Sequence, residues 1–445
     1  MDDSKLAYDQ SLAALTAAGS DFETITRTID GVDYTVYKNA PSSLQDVYTA
    51  ATAHGDKEFI VFEGERFTFN DFFRQAWALA DALSTRHGIV PGDRVGIAMR
   101  NYPEWLSAYV AITSMGAVAV PINSWGLAPE LLFAVRDSEC RSVFCDQQRF
   151  DLMAEGLAES NINAVVARPA PDNTLQPGQS LNEFIAGSEN ATAPGVDIDS
   201  EDIAMIMYTS GTTGKPKGAV STHRALCQAL MNFDCTAMAS AMANPELIGA
   251  MLSKGFEPAQ MLAVPLFHVS GLHAVFLTAL RGGRKIVMMY KWDAVKALQL
   301  IEQERITVLS VAPSMMLQVL ESPEFDDYDT SSLSSLGAGG SATPAKVSAL
   351  MREKVSNMYG GTGWGLTETN SIGAAFTGKA FVDNPGSAGF CHATVEVKAC
   401  DDDGQPLPAG TPGRLWIKTP TLVNGYWKRP DANAKSFRDG WFDSE

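Results

Sequence analysis

Positive charge, cysteine and long apolar runs are all scarce in this chain, and each shortage removes a class of function. Only 34 Lys and Arg stand against 52 Asp and Glu in 445 residues, a formal net charge of −18. So negative a surface argues against nucleic acid or an anionic membrane face as partner. The six cysteines (Cys140, Cys145, Cys227, Cys235, Cys391 and Cys400) form no C-x-x-C pair and no metal-ligand spacing. Spread so thinly, they read as reduced thiols of a cytoplasmic protein. Met1-Asp-Asp-Ser opens the chain with acid and no apolar segment, so no signal peptide is expected. The most apolar stretch, 106–120, is shorter than a membrane span and carries Ser107, Ser114 and Gly116. It reads as a core helix followed by a strand.

What is present is a globular composition, 45% hydrophobic and 9% aromatic, over a length that exceeds one ordinary core. Residues 1–45 are polar and weakly patterned and read as a surface arm. Residues 59–69 alternate around Glu63-Gly64 as a hairpin, and Asn70 is placed to cap the helical run that follows. From there strands alternate with helices, the pattern of βαβ units and a parallel sheet. A Pro-, Gly- and Ser-rich stretch, 171–202, reads as a linker between lobes at 46–195 and 196–375. Beyond, 376–445 turns to short strands parted by Asp401-Asp-Asp-Gly404 and 408–413, the texture of a small β-barrel. The expected class is α/β, with two mainly parallel lobes and that barrel.

The chemistry concentrates in Tyr208-Thr-Ser-Gly-Thr-Thr-Gly-Lys-Pro-Lys-Gly218, directly after an apolar strand. Gly211, Gly214 and Gly218 leave backbone N–H groups uncovered, and Thr209, Ser210, Thr212 and Thr213 add hydroxyls. Lys215 and Lys217 bring the local positive charge that an acidic protein needs to hold phosphate. It is not a Walker loop: Thr209 stands where that motif has its first glycine, and Pro216 follows the lysine in place of Ser or Thr.

This run closely resembles the phosphate-binding signature of the adenylate-forming superfamily of acyl-CoA synthetases, luciferases and peptide-synthetase adenylation domains. Further segments fit. Gly363-Trp-Gly-Leu-Thr-Glu-Thr369 resembles the turn that holds adenosine and metal, with Trp364 and Gly365 against adenine, Thr367 beside the α-phosphate and Glu368 on Mg²⁺. Mg²⁺ prefers carboxylate and phosphate oxygens and usually takes one or two protein ligands; the resemblance supplies Thr209 as the second metal-side contact. Gly339, Gly340 and Ser341 match the glycine turn on which adenine lies. Pro265-Leu-Phe-His-Val-Ser-Gly271 places His268 beside the carboxylate, where amino-acid-activating relatives carry an ammonium-binding aspartate. Packing competes with these roles: Trp364 is also an ordinary core aromatic, and a histidine after an apolar strand is often structural. Asn424-Gly-Tyr-Trp-Lys-Arg-Pro430 resembles an architectural motif of the family.

The resemblance implies an acid–CoA ligase using ATP, Mg²⁺ and coenzyme A on a medium- or long-chain fatty acid. An aryl-acid or amino-acid adenylation domain, or a non-catalytic protein that binds nucleotide or acyl-adenylate, remains open; a homodimer is compatible with it. The family's ribose-binding aspartate and C-terminal lid do not occur within these residues, which match an N-terminal domain alone and are expected to be a poor catalyst by themselves.

Overall fold

The computed structural model describes residues 3–171, 174–209, 216–341, 343–355, 359–384 and 386–444. Two large sheets carry the architecture. The seven-stranded sheet runs, edge to edge, Lys217–Thr222, Ile203–Thr209, Val118–Pro121, Arg94–Ala98, Cys140–Asp146, Asn163–Ala167 and Gly178–Ser180. Its pairings are parallel except at the hairpin of the first two strands. The nine-stranded sheet is ordered Phe390–Cys391, Ala374–Thr377, Gly361–Trp364, Ser335–Gly339, Val308–Val311, Ala259–Leu262, Lys285–Met288, Glu58–Phe62 and Glu65–Thr68. It is parallel from Gly361–Trp364 to Glu58–Phe62 and antiparallel at both edges. A four-stranded antiparallel sheet built from Glu396–Cys400, Arg414–Lys418, Trp441–Asp443 and Phe437–Arg438 closes the chain.

Strand order crosses the expected division at 195/196 in both directions. The 58–68 hairpin forms as its alternation predicts, yet it joins the second sheet through Ile60–Ile286 pairing. The strand Ile203–Thr209 joins the first sheet beside Ala119. Strands 374–377 and 390–391 likewise belong to the large sheet and not to the small one. For Glu58–Phe62 and Ile203–Thr209 the reason is burial: each is apolar and buried along most of its length, and a parallel pairing gives it cover on both faces.

Between the sheets lies one continuous core. Pro103–Ser114 is buried at every position but Glu104, with Trp105 and Tyr109 stacked at 5.8 Å. Phe59, Phe69, Phe72 and Phe276 meet within 6.4 Å and join the 58–68 hairpin to the helical segment 269–281. Each such ring removed from water contributes roughly 2 kcal/mol or more. Among the described residues no helix is long and apolar enough to cross a membrane.

Local expectations need three amendments. The helix Phe69–His87 is capped by Thr68, whose hydroxyl accepts from Asp71 N–H, while Asn70 lies inside the first turn and bonds Asp56. Thr68 wins because Asp71 reciprocates onto its backbone N–H, completing a capping box. The 1–45 arm is structured: a helix, Asp3–Leu15, and a hairpin, 24–37, bury Tyr8 and Tyr37 against the helix His223–Met242. The 171–202 stretch contributes the edge strand Gly178–Ser180 and a short helix whose Leu181 and Phe184 are buried. All six cysteines are unpaired thiols, and burial pushes Cys140 up to about 12.

Candidate functional site

The carboxyl ends of parallel strands leave main-chain groups open to ligands, and the sequence puts its glycines and hydroxyls there. Ser335–Gly339 and Gly361–Trp364 run in parallel with Gly339 opposite Gly363. A Cβ built on Gly339 would find only the Gly363 carbonyl, at 3.5 Å, and one on Gly363 nothing closer than 3.6 Å. Two bare glycines side by side thus form a flat backbone shelf. Gly340 follows at φ +82° in the left-handed region, and Ser341 is exposed beyond it. Thr362 anchors the shelf by donating to the Ala338 carbonyl at 2.9 Å.

Trp364 borders this shelf, but its ring is committed on one side. A Cβ on Gly373 would lie 2.4 Å from the ring, so the indole rests directly on that backbone. It also packs against the cluster of Ile417, Leu422 and Phe442 in the small sheet. Gly365 serves turn closure: a Cβ there would sit 2.3 Å from the Ser371 carbonyl.

Thr367 and Glu368 lie in a single 3₁₀ turn, Thr367–Thr369, ended by Asn370 at φ 52°. Asn370 is fully buried and ties four segments together. Its Oδ1 accepts from Ser221 Oγ at 2.8 Å, its Nδ2 donates to the Thr421 carbonyl at 2.9 Å, and its own carbonyl faces His273 Nδ1 at 3.4 Å. Thr421 Oγ1 adds a bond to the Thr369 carbonyl at 2.9 Å. The turn is therefore held rigidly against the strand Lys217–Thr222.

From the other side, the 423–427 segment clamps that same strand. Gly218 accepts from Trp427 N–H at 2.7 Å, and Val220 bonds Gly425 and Asn424. Tyr426 Oη donates to Glu368 Oε1 at 2.7 Å, while Lys217 Nζ sits over the Tyr426 ring at 4.5 Å. Thr209, at the end of its own strand, is the register partner of Lys217, with Oγ1 3.4 Å from the Lys217 carbonyl. Thr209, Lys217 and Glu368 are thus joined into one neighbourhood. Ser210, Gly211, Thr212, Thr213, Gly214 and Lys215 lie outside the described residues.

His268 stands elsewhere in this arrangement. It is exposed at the head of 269–281, its ring 4.6 Å from that of Phe267, and partial desolvation lowers its pKa. Phe267 meets the exposed Trp125 edge-on at 5.2 Å. Asn101 holds the approach by bonding the Val264 carbonyl and Leu266 N–H. Gly271 lets the helix cross the loop: a Cβ there would lie 2.3 Å from the Pro265 carbonyl oxygen. His273, further along, connects this segment to Asn370, and burial lowers its pKa to about 4.

A glycine shelf, a buried turn presenting one carboxylate and a lysine-bearing strand belong to a recognised pattern: the family model described as "AMP-binding enzyme" matches residues 47–427. The chain belongs to the AMP-binding enzymes. Within that adenylate-forming superfamily it is 30% identical over 382 residues to a feruloyl-CoA synthase of an Amycolatopsis species, covering 86% of this chain and 70% of that protein. It is 28% identical over 432 residues to a long-chain-fatty-acid–CoA ligase of Bacillus subtilis, covering 90% and 73% of the two. The inhibitor-bound N-terminal domain of FACL13 from Mycobacterium tuberculosis superposes with a TM-score of 0.76 at 27% identity, over 91% of this chain and 96% of that one.

Two residues of this candidate site escape a reading by motif. Tyr426 falls in a segment read as architectural, and nothing local marks its hydroxyl for Glu368, 58 positions away. Asn370 directly follows the Gly363–Thr369 run, and a non-glycine residue closing a turn in the left-handed region is most often Asn or Asp. That signal was present in the sequence.

Proposed function

We propose that this AMP-binding enzyme activates a carboxylic acid with ATP, forming an acyl-adenylate and pyrophosphate, and passes the acyl group to coenzyme A. The observation that carries this reading is the junction of Thr209, Lys217 and Glu368 through Tyr426, beside the bare shelf of Gly339 and Gly363. The CoA ligases among the relatives favour coenzyme A as acceptor.

No protein nucleophile is required. The substrate carboxylate attacks the α-phosphorus, pyrophosphate leaves, and the thiol of coenzyme A later displaces AMP. The chain's part is positioning and charge neutralisation. Adenine lies on the shelf of Gly339–Ser341, edged by Trp364 and Gly365. The 210–217 loop would track the β- and γ-phosphates with its hydroxyls, amides and two lysines. Thr367 addresses the α-phosphate. Glu368 presents one carboxylate oxygen engaged by Tyr426 and a second with no hydrogen bond among the described residues. No cluster of three or more metal-ligating side chains exists among the described residues, which suits a hard cation held mainly by phosphate oxygens. Glu368 and Thr209 would hold Mg²⁺, which would supply Lewis-acid neutralisation of the phosphates.

The acid we assign is a fatty one of medium to long chain, with His268 beside its carboxylate. An α-amino acid would bring an ammonium into a place where His268 stands instead of an ammonium-binding aspartate. The segment Leu272–Leu277 that follows His268 is largely apolar, which favours an uncharged tail. The feruloyl-CoA synthase likeness keeps aryl acids as the second reading. ATP–pyrophosphate exchange across fatty, aryl and amino acids tests the assignment. Fatty acids should lead; stronger exchange with any α-amino acid refutes it.

A further inference from the structure

We propose that Tyr426 is a positioning residue that keeps Lys217 and Glu368 apart and aimed, each available to a different part of Mg²⁺·ATP. The inference rests on the assignment of Glu368 to the metal and Lys217 to phosphate made above.

The two charges engage different parts of one side chain. Lys217 Nζ lies over the ring face at 4.5 Å and the hydroxyl donates to Glu368 Oε1 at 2.7 Å. Among the described residues neither charge has an ion-pair partner. Two opposite charges on adjoining segments ordinarily collapse onto each other, and a direct pair would spend the charge that phosphate and metal each need. Tyr426 gives each charge a partner of its own instead: a cation–π contact for the lysine at the ring face and a charge-assisted hydrogen bond for the carboxylate at the hydroxyl tip. The two reinforce each other, because a phenol donating to a carboxylate has a more electron-rich ring.

The ring cannot drift. Tyr426 is 5% exposed and packs with Ala219, Val423 and Phe437. Its N–H donates to Asn433 Oδ1 at 2.6 Å, and its backbone bridges Ala219 in the strand that begins at Lys217. The residue that spaces the two charges is therefore built into the strand carrying one of them, and the Val423 N–H holds the Glu368 carbonyl at 2.9 Å on the other side. A purely architectural tyrosine needs its ring but not the hydroxyl.

Binding of ATP to this chain by titration calorimetry, with and without Mg²⁺, separates the roles. Tyr426→Phe keeps the ring and the fold but removes the donor. It should raise the Mg²⁺ concentration for half-maximal enhancement of ATP binding about tenfold or more, and leave metal-free ATP affinity within about twofold. Tyr426→Leu removes ring and hydroxyl, and should weaken metal-free binding as well. Wild-type Mg²⁺ dependence in Tyr426→Phe, where Glu368→Gln does shift it, overturns the proposal alone. If Glu368→Gln leaves the Mg²⁺ dependence unmoved, the metal assignment itself fails and takes the proposal with it.

Discussion

Replacing Asn370 by alanine should be among the most damaging single changes in this protein, although no predicted ligand contact involves its side chain. The residue is fully buried, as are Thr421 and, at 1% exposure, Ser221. Asn370→Ala strands the Ser221 hydroxyl and the Thr421 carbonyl, each losing its side-chain partner at 2.8 and 2.9 Å. An unpaired buried polar group costs about 1–3 kcal/mol, and an alanine at φ 52° adds about 1 kcal/mol of backbone strain. The sum is about 3–7 kcal/mol, a large share of a typical domain's stability. Urea denaturation measures it, and Asn370→Gly resolves the parts. Glycine restores the left-handed backbone but not the hydrogen bonds, so it should recover about 1 kcal/mol of the loss and no more. Because the turn bearing Glu368 is hung from this residue, ATP affinity should fall in both variants. A stability loss below about 1 kcal/mol for Asn370→Ala would refute the argument that this side chain holds the turn.

Other perturbations follow the same physics. Gly363→Val should leave the melting temperature nearly unchanged, since the position is exposed and a Cβ there meets nothing closer than 3.6 Å, but should abolish ATP binding by covering the shelf; retained affinity would remove adenine from it. Gly271→Ala should destabilise by about 1–3 kcal/mol, because its Cβ meets the Pro265 carbonyl at 2.3 Å and both partners are backbone. His223, His273 and His392 are held to about 4 by burial, against about 6.5 unfolded. The unfolded chain takes up protons that the fold refuses, so stability is fully present above pH ~6.5 and falls as pH drops toward ~4, by about 1.4 kcal/mol per histidine per pH unit at most. Denaturation midpoints across that range check the slope, and His392→Gln should make it shallower.

Much of this molecule was legible along the chain because its signals are local. The apolar strand Ile203–Thr209, the 58–68 hairpin and the core helix at 103–114 each draw on neighbours within a few residues, so composition and spacing suffice to place them. The Gly363–Thr369 turn is of the same kind. What tertiary structure alone decided is the company these pieces keep. Periodicity shows that a strand is apolar on both faces but not which sheet has room for it, and so Glu58–Phe62 pairs with Lys285–Met288, more than 200 residues away. Cap choice at Thr68 over Asn70 turned on a reciprocal bond that only three-dimensional geometry supplies. Tyr426 and Asn370 act through hydrogen bonds spanning 58 and 149 positions. Such bonds depend on direction and on exclusion of water, and both arise only once the chain has closed around them.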